Sequence, residues 1–231
     1  GGDVYSYAER YGGETLDLSA NISSFGIPER VRQAMHRAIE DCARYPDPFC
    51  RAARRAIGAA EAVPDGFLYC GNGAADVLDR LAAALRPRRA LLTAPAFAEY
   101  ERTLAGADIR FHYLREDEGF AVTERILSDI TPETDVVYLC TPNNPTGRTV
   151  EPALLRAVAA RCADAGARLI VDECFVDFLQ DAARHTLKGL LAGSPHLILL
   201  RAYTKLFAVP GVRFGWCMTA DVGLIEALYR A

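Results

Sequence analysis

At 231 residues, 51% hydrophobic and 24% charged, the chain is ordinary soluble globular material, long enough for one large domain with a sizeable core. A net charge of −4 gives no basic field of the kind that nucleic-acid binding needs, and no apolar run is long enough for a membrane span. The start, GGDVYSYAERYGGE, lacks the apolar centre of a signal peptide, which points to the cytosol.

Residues 1–30 read as irregular chain, punctuated by Gly, Ser and Pro around LDLSANISSFGIP. A helical pattern follows in ERVRQAMHRAIEDCARY, is broken by PDPF, and resumes in CRAARRAIGAAEAV. From about residue 67 short apolar runs alternate with longer amphipathic ones. The strand candidates are FLYC, RALLTAP, DIRFHYL, DVVYLCTP, ARLIVDE, HLILLRA and RFGWCMT. Between them lie helical patterns such as AADVLDRLAAALR, AEYERTLAGA, PALLRAVAARCADAG and LKGLLAG, and DVGLIEALYRA closes the chain. Strands alternating with helices predict an α/β three-layer sandwich around a mostly parallel central sheet. Seven scattered cysteines without a C-x-x-C pair, and four histidines without ligand spacing, predict no metal site.

Ligands of such sheets bind beyond the carboxyl ends of the strands, so the residues just after each apolar run are the informative ones. After FLYC comes GNGAAD at the start of a helix. Its glycines suit either a phosphate held on the helix N-terminus or simply a tight turn. A dinucleotide fingerprint is disfavoured, because Asp76 stands where the third glycine belongs. After DVVYLC comes TPNNPTG, a rigid loop with Asn144 at its crest. After ARLIV comes Asp172, a carboxylate at the end of a buried strand, where it needs a positive partner. After LILLRA comes Lys205. Of the chain's 26 basic residues only Lys188 and Lys205 are lysines, and an amine in this apolar stretch can serve as a nucleophile. A phosphate-binding turn, an acid, an asparagine and a lone lysine around one crevice are what pyridoxal-phosphate chemistry needs. The lysine holds the aldehyde, and the acid keeps the pyridine nitrogen protonated so that the ring draws electrons.

NNPTG, VDECFVDF and TKLFAVPGVRFGW together resemble the signature segments of the class I/II, fold-type I pyridoxal-phosphate aminotransferases. The likeness covers essentially the whole chain and is nearest to the branch of histidinol-phosphate aminotransferases and threonine-phosphate decarboxylases. The resemblance implies that Lys205 is the Schiff-base lysine and proton shuttle, that Asp172 pairs with the pyridinium nitrogen, and that Asn144 meets the ring 3′-oxygen. It places Arg213, Thr204 and the backbone of Gly73 and Ala74 among the cofactor contacts, most of them at the phosphate. Phe97 would stack on the ring, and Asn21 would border the substrate. Tyr45 would reach the cofactor phosphate of the neighbouring subunit, which implies a homodimer. Residues 1–40 would form an N-terminal arm and part of a small domain, and 41–231 the cofactor-binding large domain. The rest of the small domain, with the arginine that binds the substrate carboxylate, would lie outside this chain.

The sequence departs from the family pattern at Phe175, where most members have a tyrosine donating to the 3′-oxygen. It departs again at Ala202, in place of a phosphate-gripping Ser or Thr, and at SSF in place of Asn-Pro-Leu at 23–25. Losing the tyrosine donor should raise the pKa of the lysine imine. The expected function is that of a pyridoxal-phosphate enzyme acting on an amino acid or amine, of phosphorylated class, as aminotransferase or threonine-phosphate decarboxylase. The alternatives are a catalytically incomplete cofactor-binding fragment, a regulatory domain of the same fold, or a nucleotide-binding Rossmann domain.

Overall fold

The seven apolar runs are all strands in the computed structural model, which describes residues 2–13 and 16–231. They are β1 (Leu68–Gly71), β2 (Arg89–Ala94), β3 (Asp108–Tyr113), β4 (Val136–Cys140), β5 (Arg168–Asp172), β6 (Leu197–Arg201) and β7 (Gly215–Met218). One sheet holds them in the order β1-β7-β6-β5-β4-β2-β3. The helices are α1 (Val4–Tyr11), α2 (Glu29–Ala38), α3 (Arg51–Glu61), α4 (Ala74–Leu85), α5 (Glu99–Thr103), α6 (Ile126–Asp129), α7 (Pro152–Ala165) and α8 (Val222–Arg230).

Because side chains alternate along a strand, the apolar runs feed two cores, one on each face of the sheet. Val137 and Leu139, Leu169 and Val171, Leu197 and Leu199 point to one face, where Ile57 of α3, Ile126 of α6 and Leu155, Val158 and Cys162 of α7 cover them. Tyr138, Ile170, Ile198, Leu200 and Cys217 point to the other, beneath Val77, Leu78 and Leu81 of α4, Tyr100 of α5 and Leu224, Ile225 and Leu228 of α8. Each fully buried Leu, Ile or Val contributes roughly 1.5–3 kcal/mol, so these two layers carry the stability. Among the described residues the first buried apolar side chain in chain order is Ile57, and α1 and α2 bury none.

β2 to β6 run parallel, while β7 is antiparallel to both of its neighbours, β1 and β6. The start of β7 therefore lies at the same edge as the carboxyl ends of the others, with Gly215 opposite Gly71 and Trp216 opposite Arg201.

The structure differs from the sequence reading in four local places. Residues 4–11 are helical, because Asp3 caps the first turn through the Ser6 N–H (3.0 Å) and Ser6 hydroxyl (2.6 Å), and Gly12 at φ 67° stops it. The helix expected over 29–45 ends at Ala38 and passes into a 3₁₀ turn, Glu40–Ala43. AEYERTLAGA is helical only over Glu99–Thr103. LKGLLAG is a 3₁₀ stretch, Lys188–Gly193, since its two glycines weaken an α-helix. Among the described residues no helix is long and apolar enough to cross a membrane.

Candidate active site

The carboxyl ends of β1, β4, β5 and β6 open onto a cavity of about 460 Å³. Asn21, Gly73, Ala74, Phe97, Asn144, Asp172, Thr204, Lys205 and Arg213 all line it, from seven separate stretches of the chain. Tyr45 does not. It lies on the surface with its side chain fully exposed.

Asp172, the last residue of β5, is buried. Its Oδ1 accepts the Cys174 N–H at 2.9 Å and its Oδ2 accepts the Tyr100 hydroxyl at 2.7 Å. No cation pairs with it among the described residues. Tyr100 was not singled out in the sequence, although it follows Phe97 by one helical turn and packs edge-on against it, with ring centroids 5.7 Å apart. Burial, together with the charge of Asp172, pushes its hydroxyl well above the usual tyrosine range, so it stays a donor.

The two lysines have opposite surroundings. Lys188 Nζ donates to Glu61 Oε2 at 2.9 Å and forms an ion pair there. Lys205 is half-buried in the cavity wall, and its amine has neither a hydrogen bond nor an ion pair among the described residues. Its carbonyl accepts the Ser23 N–H at 3.0 Å, which draws the segment carrying Ser19, Ala20 and Asn21 across the cavity.

The β1–α4 turn is built by close approach. A Cβ on Gly73 (φ 92°) would lie 2.6 Å from an Arg213 guanidinium nitrogen, and one on Gly215 would lie 2.5 Å from the Ala74 nitrogen. No side chain caps α4, so its first N–H groups face the cavity beside Arg213. Asp76, the residue that broke the dinucleotide fingerprint, accepts the Asn72 N–H at 2.9 Å and pairs with Arg80 at 3.2 Å.

The asparagines of NNPTG divide the work. Asn143 Nδ2 donates to Pro95 O (3.1 Å) and the Thr146 hydroxyl (2.9 Å) and so shapes the loop, leaving Asn144 to face the cavity. Phe175 and Ala202, the two departures from the family pattern, also line the cavity.

Residues 14–231 match the family described as aminotransferase class I and II. The chain belongs to this family. The threonine-phosphate decarboxylase of Salmonella typhimurium is 38% identical over 219 residues, which cover 94% of this chain and 60% of the relative. A histidinol-phosphate aminotransferase from Rubrobacter xylanophilus is 32% identical over 212 residues, covering 90% of this chain and 60% of that one. The crystal structure of the histidinol-phosphate aminotransferase from Clostridium acetobutylicum superposes with a TM-score of 0.85 at 28% identity, over 94% of this chain and 64% of that one. This class I and II family chain thus spans about three fifths of the length of the curated relatives it matches.

Proposed function

We propose that the chain is the cofactor-binding part of a pyridoxal-phosphate enzyme acting on an amino acid or amine of phosphorylated class, as aminotransferase or threonine-phosphate decarboxylase. The observation that carries this reading is an amine, Lys205, and a buried carboxylate, Asp172, on the wall of one cavity, neither of which has an ion-pair partner among the described residues. The uncapped α4 terminus beside Arg213 adds an anion site. An aldehyde, a pyridine nitrogen and a phosphate on one small molecule match these three features in charge and chemistry. When bound, the cofactor would supply an electron sink for a bond broken at the substrate's Cα.

Each residue then has a role that its surroundings support. Lys205 Nζ would hold the aldehyde and could carry a proton to or from the substrate. Asp172, its two oxygens fixed by Tyr100 and Cys174, would favour a protonated pyridine nitrogen. Asn144 and Phe97 would contact the ring, and Arg213, Thr204 and the Gly73–Ala74 backbone would hold the phosphate. Asn21 borders the substrate, and its segment screens the cavity from water. Tyr45, exposed on one copy, contacts the cofactor phosphate of a second, which makes the enzyme a homodimer. On this reading residues 1–40 are an N-terminal arm and part of a small domain, and 41–231 the cofactor-binding large domain.

Absorbance of the protein with added pyridoxal phosphate, before and after borohydride, tests the reading in wild type and Lys205→Ala. A borohydride-sensitive band in the wild type alone is the expected result. A band that survives Lys205→Ala removes Lys205 from the role, and no band in either protein removes the cofactor. Given the 38% identical relative, threonine phosphate is the first substrate to try. Carbon dioxide released without a keto-acid acceptor marks a decarboxylase, and turnover only with the acceptor marks an aminotransferase. Cofactor binding without either favours an incomplete binding module.

A further inference from the structure

Behind the cavity, on the opposite face of the same strand ends, lies a second cluster of ionisable side chains. Strand alternation separates the two. Asp172, Ala202 and Thr204 line the cavity, whereas Glu173, Arg201 and Tyr203 turn away from it. Arg201 donates from Nε to Glu173 Oε2 at 2.9 Å, and its second terminal nitrogen lies 2.8 Å from the same oxygen. Glu173 also accepts the Leu187 N–H at 3.1 Å and the Thr186 hydroxyl at 2.8 Å. These groups converge on Glu61, the last residue of α3, which is only 5% exposed. Its Oε1 accepts the Tyr203 hydroxyl at 2.8 Å, its Oε2 accepts Lys188 Nζ at 2.9 Å, and Arg201 lies 3.8 Å from Oε1.

We propose that Glu61 is a positioning residue for Lys205, holding the 201–205 segment from behind through Tyr203 and Arg201. This rests on the assignment of Lys205 as the cofactor's attachment point. Tyr203 stands two residues before Lys205, in a stretch with no strand partner to fix it beyond Arg201. Its hydroxyl on Glu61 is therefore the nearest side-chain tether to the lysine backbone from the core side, and the Ser23 N–H on the Lys205 carbonyl is the tether from the other. Burial works against the charge of Glu61, but the hydrogen bond from Lys188, the charge of Arg201 and the Tyr203 hydroxyl outweigh it and hold the carboxyl below its usual range. It therefore stays ionised at neutral pH, accepting from Lys188 and Tyr203 and facing the charge of Arg201. Burial pushes Glu173 and Asp177 the other way. Lys188, the second lysine of the chain, thus supports the first through Glu61.

Tyr203→Phe is the test, because it deletes one hydroxyl and keeps the ring on Trp216 and Phe207 (centroids 4.6 and 5.2 Å apart). The readouts are the dissociation constant for pyridoxal phosphate and the pH midpoint at which its borohydride-sensitive band changes. The variant is expected to bind about fivefold more weakly, with a midpoint displaced by about half a unit. Asp221→Ala, remote from the cavity, is the control: it should lower the melting temperature while leaving affinity and midpoint as in wild type. Wild-type affinity and midpoint in Tyr203→Phe, with only a lower melting temperature, would overturn the proposal and make the cluster purely structural. A wild type without the band would instead remove the cofactor reading, and this inference with it.

Discussion

Lys205 and Lys188 show how far a single residue can be read from sequence. A chain that builds its other cationic sites from arginine marks both lysines as unusual, and only their surroundings distinguish them: one amine is bound to Glu61, the other lies on the cavity wall with no partner among the described residues. Asp172 and Asn144 were legible because a carboxylate at a buried strand end and a second asparagine in a Pro-Gly turn have no cheap local explanation. Tyr100 was not legible, since a tyrosine three residues after a phenylalanine reads as ordinary core until the fold lays it on Asp172. Phe175 lines the cavity with no donor. Phe175→Tyr restores a hydroxyl that favours a charged ring oxygen, so the bound cofactor's band should titrate at lower pH than in wild type. A spectrophotometric pH titration of both proteins measures this, and a midpoint moved upward would contradict the assignment of that position.

At the scale of elements, the central strands β4 and β6 announced themselves as apolar runs buried on both faces, whereas the edge strand β3, DIRFHY, alternates and is largely exposed. The direction of β7 was hidden, since an apolar run reads the same parallel or antiparallel. That direction matters: it brings Arg213, which precedes its strand, to the edge where the other site residues follow theirs. Gly215→Ala would put a Cβ 2.5 Å from the Ala74 nitrogen and 2.7 Å from the Gly73 carbonyl carbon, backbone atoms that cannot swing aside. The expected cost is about 1–3 kcal/mol in denaturant unfolding, with loss of cofactor retention as the α4 terminus shifts. The last helix depends on Asp221, whose Oδ1 caps it through the Leu224 N–H (2.9 Å) and whose Oδ2 accepts from Arg168 (2.6 Å). Asp221→Ala should cost about 1 kcal/mol or somewhat more at neutral pH. Burial opposes the charge, but Leu224 and Arg168 hold the Asp221 pKa below its ordinary 3.8. A depressed carboxylate stabilises fully above its unfolded value and loses that stabilisation as pH falls through the folded one. The difference in melting temperature between wild type and Asp221→Ala should therefore hold above about pH 5 and shrink as the pH falls below 3.8.

For the molecule as a whole, the exposed apolar surface is concentrated before the cores. Tyr5, Leu16, Leu18 and Phe25 are 80% exposed or more, and Tyr45 fully so. The proposed contact of Tyr45 with the cofactor site of a second copy is tested at this scale. Tyr45→Ala should leave the melting temperature of the cofactor-free protein within about 1 °C, because an exposed ring contributes little to folding. It should weaken cofactor retention at protein concentrations where sedimentation shows a dimer, and leave it unchanged where sedimentation shows a monomer. Equal retention at both concentrations would argue against a contribution from a second copy.

Family, sheet and most of the cavity wall are legible in the amino-acid sequence, because strand ends carry their chemistry in short contiguous strings: GNG, NNPTG, DE and TK. Contacts between residues far apart in the chain come only with the fold. These are Tyr100 on Asp172, Arg213 packed against Gly73, Ser23 on the carbonyl of Lys205, and Glu61 gathering Lys188, Arg201 and Tyr203. Local strings record periodicity and turn chemistry, whereas such contacts depend on strand order and on the direction of β7, and neither leaves a mark in any one segment.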